Sequence, residues 1–301
     1  MASRKLFLKE VENMMDACKD IPQDDMLFTY NGTLYPKTIC HPETFKAMES
    51  FQLREDDLLI VSYPKCGSNW TYQILQDILY AVHKKEESII GIPMLEFGLP
   101  DKYEKYNQEP SPRVFTTHFQ YGNMPKSVFT RNVKMLVVFR NPKDTAVSFY
   151  HFYNNNPGLP NYSSWDTFFQ DFTSGNVCFG SYFDYALTWN KHIDDENVLI
   201  MTFEEMKEDL YKAVKKICIF FGYSLTEEQV QYISDKGTFK SMKEKSGETH
   251  GYFGKVLFRK GDVGDWKNHF SEAQSKEMDA KFEEYLAGTK LGNKMKYNIY
   301  C

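Results

Sequence analysis

Residues 58–70, which read LLIVSYPKCGSNW, determine how the whole chain is interpreted. The run at 58–63 is mostly apolar on both faces, as is typical of a strand buried inside a parallel sheet. A short turn at 64–67 contains a glycine, and a helical pattern then extends over Ser68–His83. A buried strand, a tight turn and a helix are the repeating unit of α/β folds.

The same pattern of apolar strands followed by helices recurs along the chain. Three further runs predict strands, namely 114–118 (VFTTH), 135–139 (MLVVF) and 198–203 (VLIMTF). No linker divides the chain cleanly into two parts. We therefore predict an α/β fold: a single domain over 1–301 with a central, mostly parallel sheet flanked by helices and joined by right-handed crossovers.

Helix signals between and after the strands are also clear. Asn141 and Pro142 are a typical N-cap and first residue, so a helix is predicted over 141–153. Further predicted helices are one continuous helix at 204–221, one opening at Thr226, and a long one at 271–287 that closes the chain. The stretches 84–112 and 243–260 are predicted to be long loops, either functional lids or mobile segments.

The turn after the first strand has the features of an anion site. Backbone N–H groups at a helix N-terminus attract negative charge, Lys65 adds a full positive charge, and Ser68 and Asn69 add side-chain donors. The turn is P-loop-like, but it lacks the spacing of a Walker A nucleotide loop. A plain strand–helix turn with a surface lysine remains the alternative.

Two more polar residues follow strands in the same way. His118 ends the second predicted strand and Arg140 follows the third, with Ser148 further along the next helix. Ligands of open parallel sheets bind outside the carboxyl ends of the strands, so we expect Lys65, His118 and Arg140 to surround one ligand. For His118, a structural role in a hydrogen bond is the alternative.

A second anion site is predicted near the end of the chain, at 259–268 (RKGDVGDWKN). Arg259, Lys260 and Gly261 can wrap a phosphate group, whereas the alternative is a charged surface turn. Two anion sites far apart in sequence predict a ligand with two separated anionic groups.

Composition limits the remaining choices. The chain has 301 residues and a net charge of −5, which argues against binding to a nucleic-acid polymer. Aromatic residues make up 16%, so they either fill the core or line a cavity for a flat apolar ligand.

Charges interrupt the first 20 residues, which predict a surface helix rather than a signal peptide, and no apolar run is long enough to span a membrane. The six cysteines show no metal-binding spacing, so we expect no metal and a cytoplasmic location.

Three motifs together resemble the cytosolic sulfotransferases: YPKCGSNW at 63–70, FRNPKDTAVSFYHF at 139–152, and the segment 259–268. Cys66 and the sequence LAGTKLG at 286–292 are most similar to the family-6 (6B-like) branch. The resemblance covers nearly the whole chain. It implies an enzyme that transfers a sulfonate group from 3′-phosphoadenosine 5′-phosphosulfate (PAPS) to a hydroxyl or amine of a small aromatic or steroid-like acceptor.

The resemblance also implies the site residues. His118 would be the general base, and Lys65 would stabilise charge on the leaving phosphate oxygen. The 5′-phosphosulfate would be held by Lys65, Cys66, Gly67, Ser68, Asn69 and Trp70, and the 3′-phosphate by Arg140, Ser148, Arg259, Lys260 and Gly261. Trp70 and Phe239 would enclose the adenine, with Phe203, Gly237, Thr238 and Met242 nearby. Candidate walls of the acceptor pocket are Phe97, Tyr103, Phe115, Phe119, Tyr150, Phe152 and Tyr252.

The chain departs from the family pattern at three site positions. Thr116 stands where the family has a lysine two residues before the catalytic histidine, Phe203 replaces a tyrosine, and Cys66 replaces a serine. Loss of a cation and a hydroxyl favours an alternative hypothesis, a donor- or ligand-binding protein with little turnover. A second alternative is a P-loop-like small-molecule kinase. The family's dimer motif fits only at Lys267 within 267–276, so a homodimer is possible but poorly supported.

Overall fold

A parallel sheet of four strands crosses the described part of the chain. The structure is a computed structural model, and it describes residues 9, 12–13, 15–84, 93–251 and 253–301. Its strands are β1 (Leu27–Tyr30), β2 (Thr33–Pro36), β3 (Leu58–Ser62), β4 (Val114–Thr117), β5 (Lys134–Phe139) and β6 (Val198–Thr202). The strands β4, β3, β5 and β6 lie side by side in that order, all parallel, whereas β1 and β2 form a separate antiparallel hairpin.

Helices cover both faces of the sheet. They are α1 (Pro42–Ser50), α2 (Ser68–His83), α3 (Lys102–Gln108), α4 (Lys126–Thr130), α5 (Pro142–Asn155), α6 (Trp165–Ser174), α7 (Tyr182–Asn190), α8 (Phe203–Glu208), α9 (Leu210–Phe221), α10 (Glu227–Lys236), α11 (Phe239–His250), α12 (Phe253–Leu257), α13 (Glu272–Tyr285), α14 (Lys290–Met295) and α15 (Tyr297–Tyr300). None of those in the described residues has the length and apolarity needed to cross a membrane.

The central strand β3 shows why the sheet is buried on both faces. All five of its residues are buried. Leu59 and Val61 pack into one apolar core, and Leu58 and Ile60 pack into a second core on the opposite face. Successive side chains of a strand point to opposite faces, so a strand that is apolar throughout needs helices on both. The predicted α/β class and the four predicted strands are confirmed.

Several helix predictions need correction. The predicted helix 204–221 is two helices, because Asp209 adopts φ −150° and its side chain caps the N–H of Lys212. Helix α13 begins after its N-cap residue Ser271, within the predicted helix 271–287, but it does not close the chain, since α14 and α15 follow.

Both predicted lids contain helices. Helix α3 lies within 84–112, and α11 and α12 occupy most of 243–260. Residues 85–92 of the first lid and Tyr252 in the second lie outside the described residues, as does most of the predicted N-terminal helix. The β1–β2 hairpin was not predicted, although Asn31-Gly32 is a strong hairpin signal: both residues take the positive φ that such a turn requires.

Candidate active site

The carboxyl ends of β3, β4 and β5 meet at one edge of the sheet. Val61 pairs with Thr117, and Ser62 pairs with Val138. Lys65, His118 and Arg140 follow these strand ends, and contacts link their segments. Arg140 Nη1 donates to the carbonyl oxygen of Lys65 at 3.4 Å, and His118 Nδ1 lies 2.7 Å from the carbonyl oxygen of Ser62.

The turn before α2 leaves its N-terminus open. Gly67 is the N-cap residue, with φ 110°, and no side chain caps the helix there. A Cβ at Gly67 would lie 3.2 Å from the ring of Phe203, so this position suits glycine in both conformation and space. The half-buried Ser68 and Asn69 form the first turn of a 16-residue helix. An uncapped terminus of this kind offers free backbone amides to an anion.

Cys66 takes no part in this anion site through its side chain. The thiol is completely buried, and its Sγ lies 3.7 Å from the Thr145 hydroxyl oxygen. Burial raises its pKa to about 12, so the thiol stays protonated. The replacement of the family's serine by Cys66 therefore changes the core side of the turn rather than the side that faces a ligand.

Lys65 occupies the centre of a cationic group. Its Nζ lies 4.0 Å from the centre of the Phe152 ring. Burial, together with the charges of Arg140 and Arg259, lowers its pKa to about 7. The cavity beside it is lined by Lys65, Ser148, His151, Phe152, Asn155, Lys255, Val256, Leu257 and Arg259. The structure thus brings together residues from three distant segments that were predicted to hold one ligand.

Arg140 links the two predicted anion sites. Its Nη2 donates to the carbonyl oxygen of Asp262 at 2.9 Å, and its guanidinium lies 4.5 Å from the centre of the Phe203 ring. Its Nε is buried and has no hydrogen-bond partner among the described residues. A buried cationic donor without a partner is costly, and an anionic ligand would satisfy it.

The basic loop at 259–261 is held by acidic residues that were not predicted from the sequence. Arg259 and Lys260 each lie 2.5 Å from the carboxylate of Asp265. Although burial acts the other way, hydrogen bonds from Lys260, Asn268 and Arg259 hold the pKa of Asp265 well below its usual range. The buried carboxylate of Asp144, in the first turn of α5, accepts from the N–H groups of Gly264 and Trp266 at 2.6 and 3.0 Å. The loop is thereby fixed to the helix that carries Ser148.

Aromatic side chains lie around the position predicted for adenine. Trp70 Nε1 donates to the carbonyl oxygen of Gly237 at 2.6 Å, which ties α2 to the end of α10. Trp70, Phe203 and Met242 belong to one apolar cluster, with Phe239 partly buried against it. Thr238 caps helix α11 through its side chain. The predicted adenine residues therefore share one apolar neighbourhood.

The half-buried ring of His118 has a defined tautomer. A carbonyl oxygen can only accept, so the contact with Ser62 requires the proton to lie on Nδ1. The lone pair then lies on Nε2. Burial and the nearby charge of Lys65 lower the pKa of His118 to about 4, which keeps the imidazole neutral near pH 7. A neutral imidazole with a free Nε2 lone pair is the form that can accept a proton.

Rings surround His118, but only some are those predicted. Phe97 lies 6.3 Å and Phe179 lies 5.1 Å from the imidazole, centre to centre, both edge-on. Phe179 was missed because nothing in its local sequence marks it, although it adopts φ 68°, which is unusual for phenylalanine. The predicted walls Tyr103, Phe115, Phe119 and Tyr150 belong to the main apolar core or pack against it, as do Phe97 and Phe179.

Thr116 provides no charge in place of the family's lysine. Its side chain is completely buried and its hydroxyl lies 2.7 Å from the sulfur of Met94.

Comparison with known proteins identifies the family. The family model described as "Sulfotransferase domain" matches residues 55–290 of this chain. The chain belongs to the sulfotransferase family. It is 49% identical to Sulfotransferase 6B1 of Mus musculus over 301 residues, covering 100% of this chain and 99% of that protein. Its identity to Sulfotransferase 6B1 of Danio rerio is also 49%, over 295 residues, with 98% and 100% covered.

A solved structure agrees with this assignment. The sulfotransferase is similar to the crystal structure of mouse sulfotransferase SULT7A1 complexed with PAP, at 33% identity and a TM-score of 0.82, covering 91% of this chain and 99% of that one. The predicted family and its 6B branch are confirmed, as is the prediction of an enzyme that transfers a sulfonate group.

Proposed function

We propose that this sulfotransferase moves the sulfonate group of PAPS to a hydroxyl or amine of a small aromatic or steroid-like acceptor, with His118 as the general base. One observation carries the proposal: His118 follows the end of β4, and its Nδ1 lies 2.7 Å from the Ser62 carbonyl oxygen, which leaves Nε2 as the proton acceptor. The PAP bound to the similar mouse sulfotransferase supports PAPS as the donor.

The residues of the site fit such a donor. Arg140 has a buried Nε that lacks a partner among the described residues, and the N-terminus of α2 has no capping side chain. A Cβ at Gly261 would stand 2.0 Å from the Phe239 ring, so the basic loop can approach that ring closely only with glycine there. Phosphosulfate would lie on Lys65, Gly67, Ser68 and Asn69, with the backbone of Cys66, and the 3′-phosphate on Arg140, Ser148, Arg259, Lys260 and Gly261. Adenine would lie between Trp70 and Phe239, beside Phe203, Gly237, Thr238 and Met242.

The chemistry assigned to His118 is removal of the acceptor's proton. Its Nε2 would accept that proton as the acceptor oxygen or nitrogen attacks, a contribution of about 10²–10⁴-fold in rate. The Ser62 carbonyl would hold the resulting imidazolium in place through Nδ1–H. PAPS supplies the sulfonate group when bound.

Lys65 would act on the leaving side. Its ammonium would stabilise negative charge developing on the departing phosphate oxygen. In the ligand-free protein the pKa of Lys65 is about 7. A nearby anion favours the charged form, so donor binding would keep Lys65 protonated.

An acceptor screen tests the proposal. Radiolabelled PAPS at saturating concentration is incubated with phenols, steroids, iodothyronines, bile acids and amines, and transfer of label is measured. We expect transfer to at least one class. Calorimetry in parallel compares PAP with ATP, and PAP is expected to bind more tightly. Tight binding of PAP without transfer to any class would favour a binding protein with little turnover. The uncharged Thr116 is the observation that supports this alternative.

A further inference from the structure

Glu96 is a fully buried carboxylate that lies beside His118 without belonging to the donor site. The segment 93–96 runs along strand β4 as a short parallel extension of the sheet. Thr116 N donates to Pro93 O at 3.0 Å, and Leu95 N donates to Thr116 O at 2.9 Å. This pairing brings the side chain of Glu96 to the end of β4.

The carboxylate of Glu96 holds the backbone of the proposed base. Its Oε1 accepts the backbone N–H of His118 at 2.7 Å. Its Oε2 is buried and has no hydrogen-bond partner among the described residues. A distance of 2.7 Å is at the short end of the range for an N–H···O hydrogen bond. Because His118 is the first residue after β4, this bond fixes the point at which the chain leaves the sheet.

Lys102 holds the segment around Glu96 in place. Its buried ammonium donates to the carbonyl oxygens of Met94, Leu95 and Phe97, at 3.0 and 2.6 Å for the first two. Burial raises the pKa of Glu96 and lowers that of Lys102, while each charge favours the ionised form of the other. Lys102 therefore holds the backbone on both sides of Glu96 by hydrogen bonds, and it supplies a positive charge close to the carboxylate.

We propose that Glu96 is a positioning residue for sulfonate transfer, which holds the His118 backbone so that Nε2 points to the acceptor. Two bonds would then orient His118: Ser62 O fixes the ring and Glu96 fixes the main chain. This proposal rests on the proposed role of His118. Glu96 is completely buried, so it would act through His118, and the proposal depends on the reach of the carboxylate rather than on its charge.

Two substitutions separate reach from charge. Glu96→Asp keeps the charge but shortens the side chain by one methylene, so the carboxylate should no longer reach His118 N–H. Glu96→Gln keeps the reach and an accepting oxygen, and it places the amide nitrogen at the position of Oε2. The matched control is Asp57→Asn, because Asp57 is a buried carboxylate bonded to Arg113 at the other end of β4.

The direct readout is the amide signal of His118. Labelling with ¹⁵N-histidine gives a spectrum with seven amide positions, since the chain contains seven histidines, and His118→Asn identifies the signal of interest. We expect a strongly downfield amide proton in the wild type, a smaller downfield shift in Glu96→Gln, and loss of that shift in Glu96→Asp. Asp57→Asn should lower the melting temperature and leave the His118 signal unchanged.

Kinetics supply the second readout. Glu96→Asp should lower kcat by about 10²-fold, because a misplacement on the scale of ~1 Å has that effect. Its KM for PAPS and its Kd for PAP should not change, and Glu96→Gln should retain most of kcat. An unchanged His118 signal or unchanged kcat in Glu96→Asp would overturn the proposal, as would equal losses in Glu96→Gln and Glu96→Asp. If His118→Asn itself transfers sulfonate at the wild-type rate, the role of His118 fails instead.

Discussion

The ring of Phe239 lies against the backbone of Gly261. A Cβ built on Gly261 would stand 2.0 Å from Cδ2 of that ring, and the residue has φ 68°. Both facts require glycine. This contact joins the basic loop proposed for the 3′-phosphate to the start of α11, where adenine would lie.

Replacing Gly261 should therefore damage donor binding. We predict that Gly261→Ala displaces the Phe239 ring or the loop and weakens PAP binding by at least about tenfold, which is about 1.4 kcal/mol. Calorimetry with PAP measures this directly. Gly122→Ala is the matched control, because a Cβ added at Gly122 would meet no atom within 4 Å and the residue has no positive φ. Equal PAP affinities in the two variants would contradict the prediction.

Lys65 should set the alkaline limb of the pH profile. A pKa of about 7 means that the free enzyme loses this charge as the pH rises above 7. We predict that kcat/KM for PAPS falls above about pH 7, whereas kcat falls only at higher pH, because bound donor favours protonated Lys65. Steady-state rates at varied pH and PAPS concentration test this.

A variant isolates the group responsible. Lys65→Arg keeps a charge that is not lost in this pH range, so the decline near pH 7 should disappear even if the rate is lower throughout. The acid limb belongs to His118, whose pKa of about 4 keeps the base active down to that region. A decline near neutral pH that persists in Lys65→Arg would assign it to another group.

Cys66 should be replaceable and unreactive. Its thiol is buried against Thr145, with a pKa raised to about 12 by burial. We predict that Cys66→Ser leaves PAP affinity and kcat unchanged, and that iodoacetamide does not modify Cys66 in the folded protein, because the thiolate is the reactive form. Mass spectrometry locates the modified residues. A large loss of PAP affinity in Cys66→Ser would show that the side chain affects the site.

The strands and the first anion turn were predictable because local patterns encode them. Apolar runs specify buried strands, and Gly67 at a helix start needs no distant partner to be recognised. From the amino-acid sequence alone, the rule that ligands bind at strand ends then predicted that Lys65, His118 and Arg140 lie close together.

What the sequence did not predict depends on contacts between distant segments. Glu96 resembles any other acidic residue until the pairing of 93–96 with β4 brings it to His118, and Phe179 reaches His118 from a separate loop. Asp209 separates two helices through its backbone angle φ. Aspartate is a preferred N-cap residue, so its presence was a signal that a second helix could begin there. Asp265 follows Arg259 and Lys260 closely in the sequence, so an ion pair within that loop could have been predicted.

The central claim is that His118 is the base of sulfonate transfer, and single-turnover transfer by His118→Ala tests it most directly. Labelled PAPS is bound in excess enzyme, the best acceptor from the screen is added, and transfer is followed in time while calorimetry measures PAP affinity. We predict a rate about 10²–10⁴-fold lower with PAP affinity retained. Transfer at the wild-type rate by His118→Ala would contradict it.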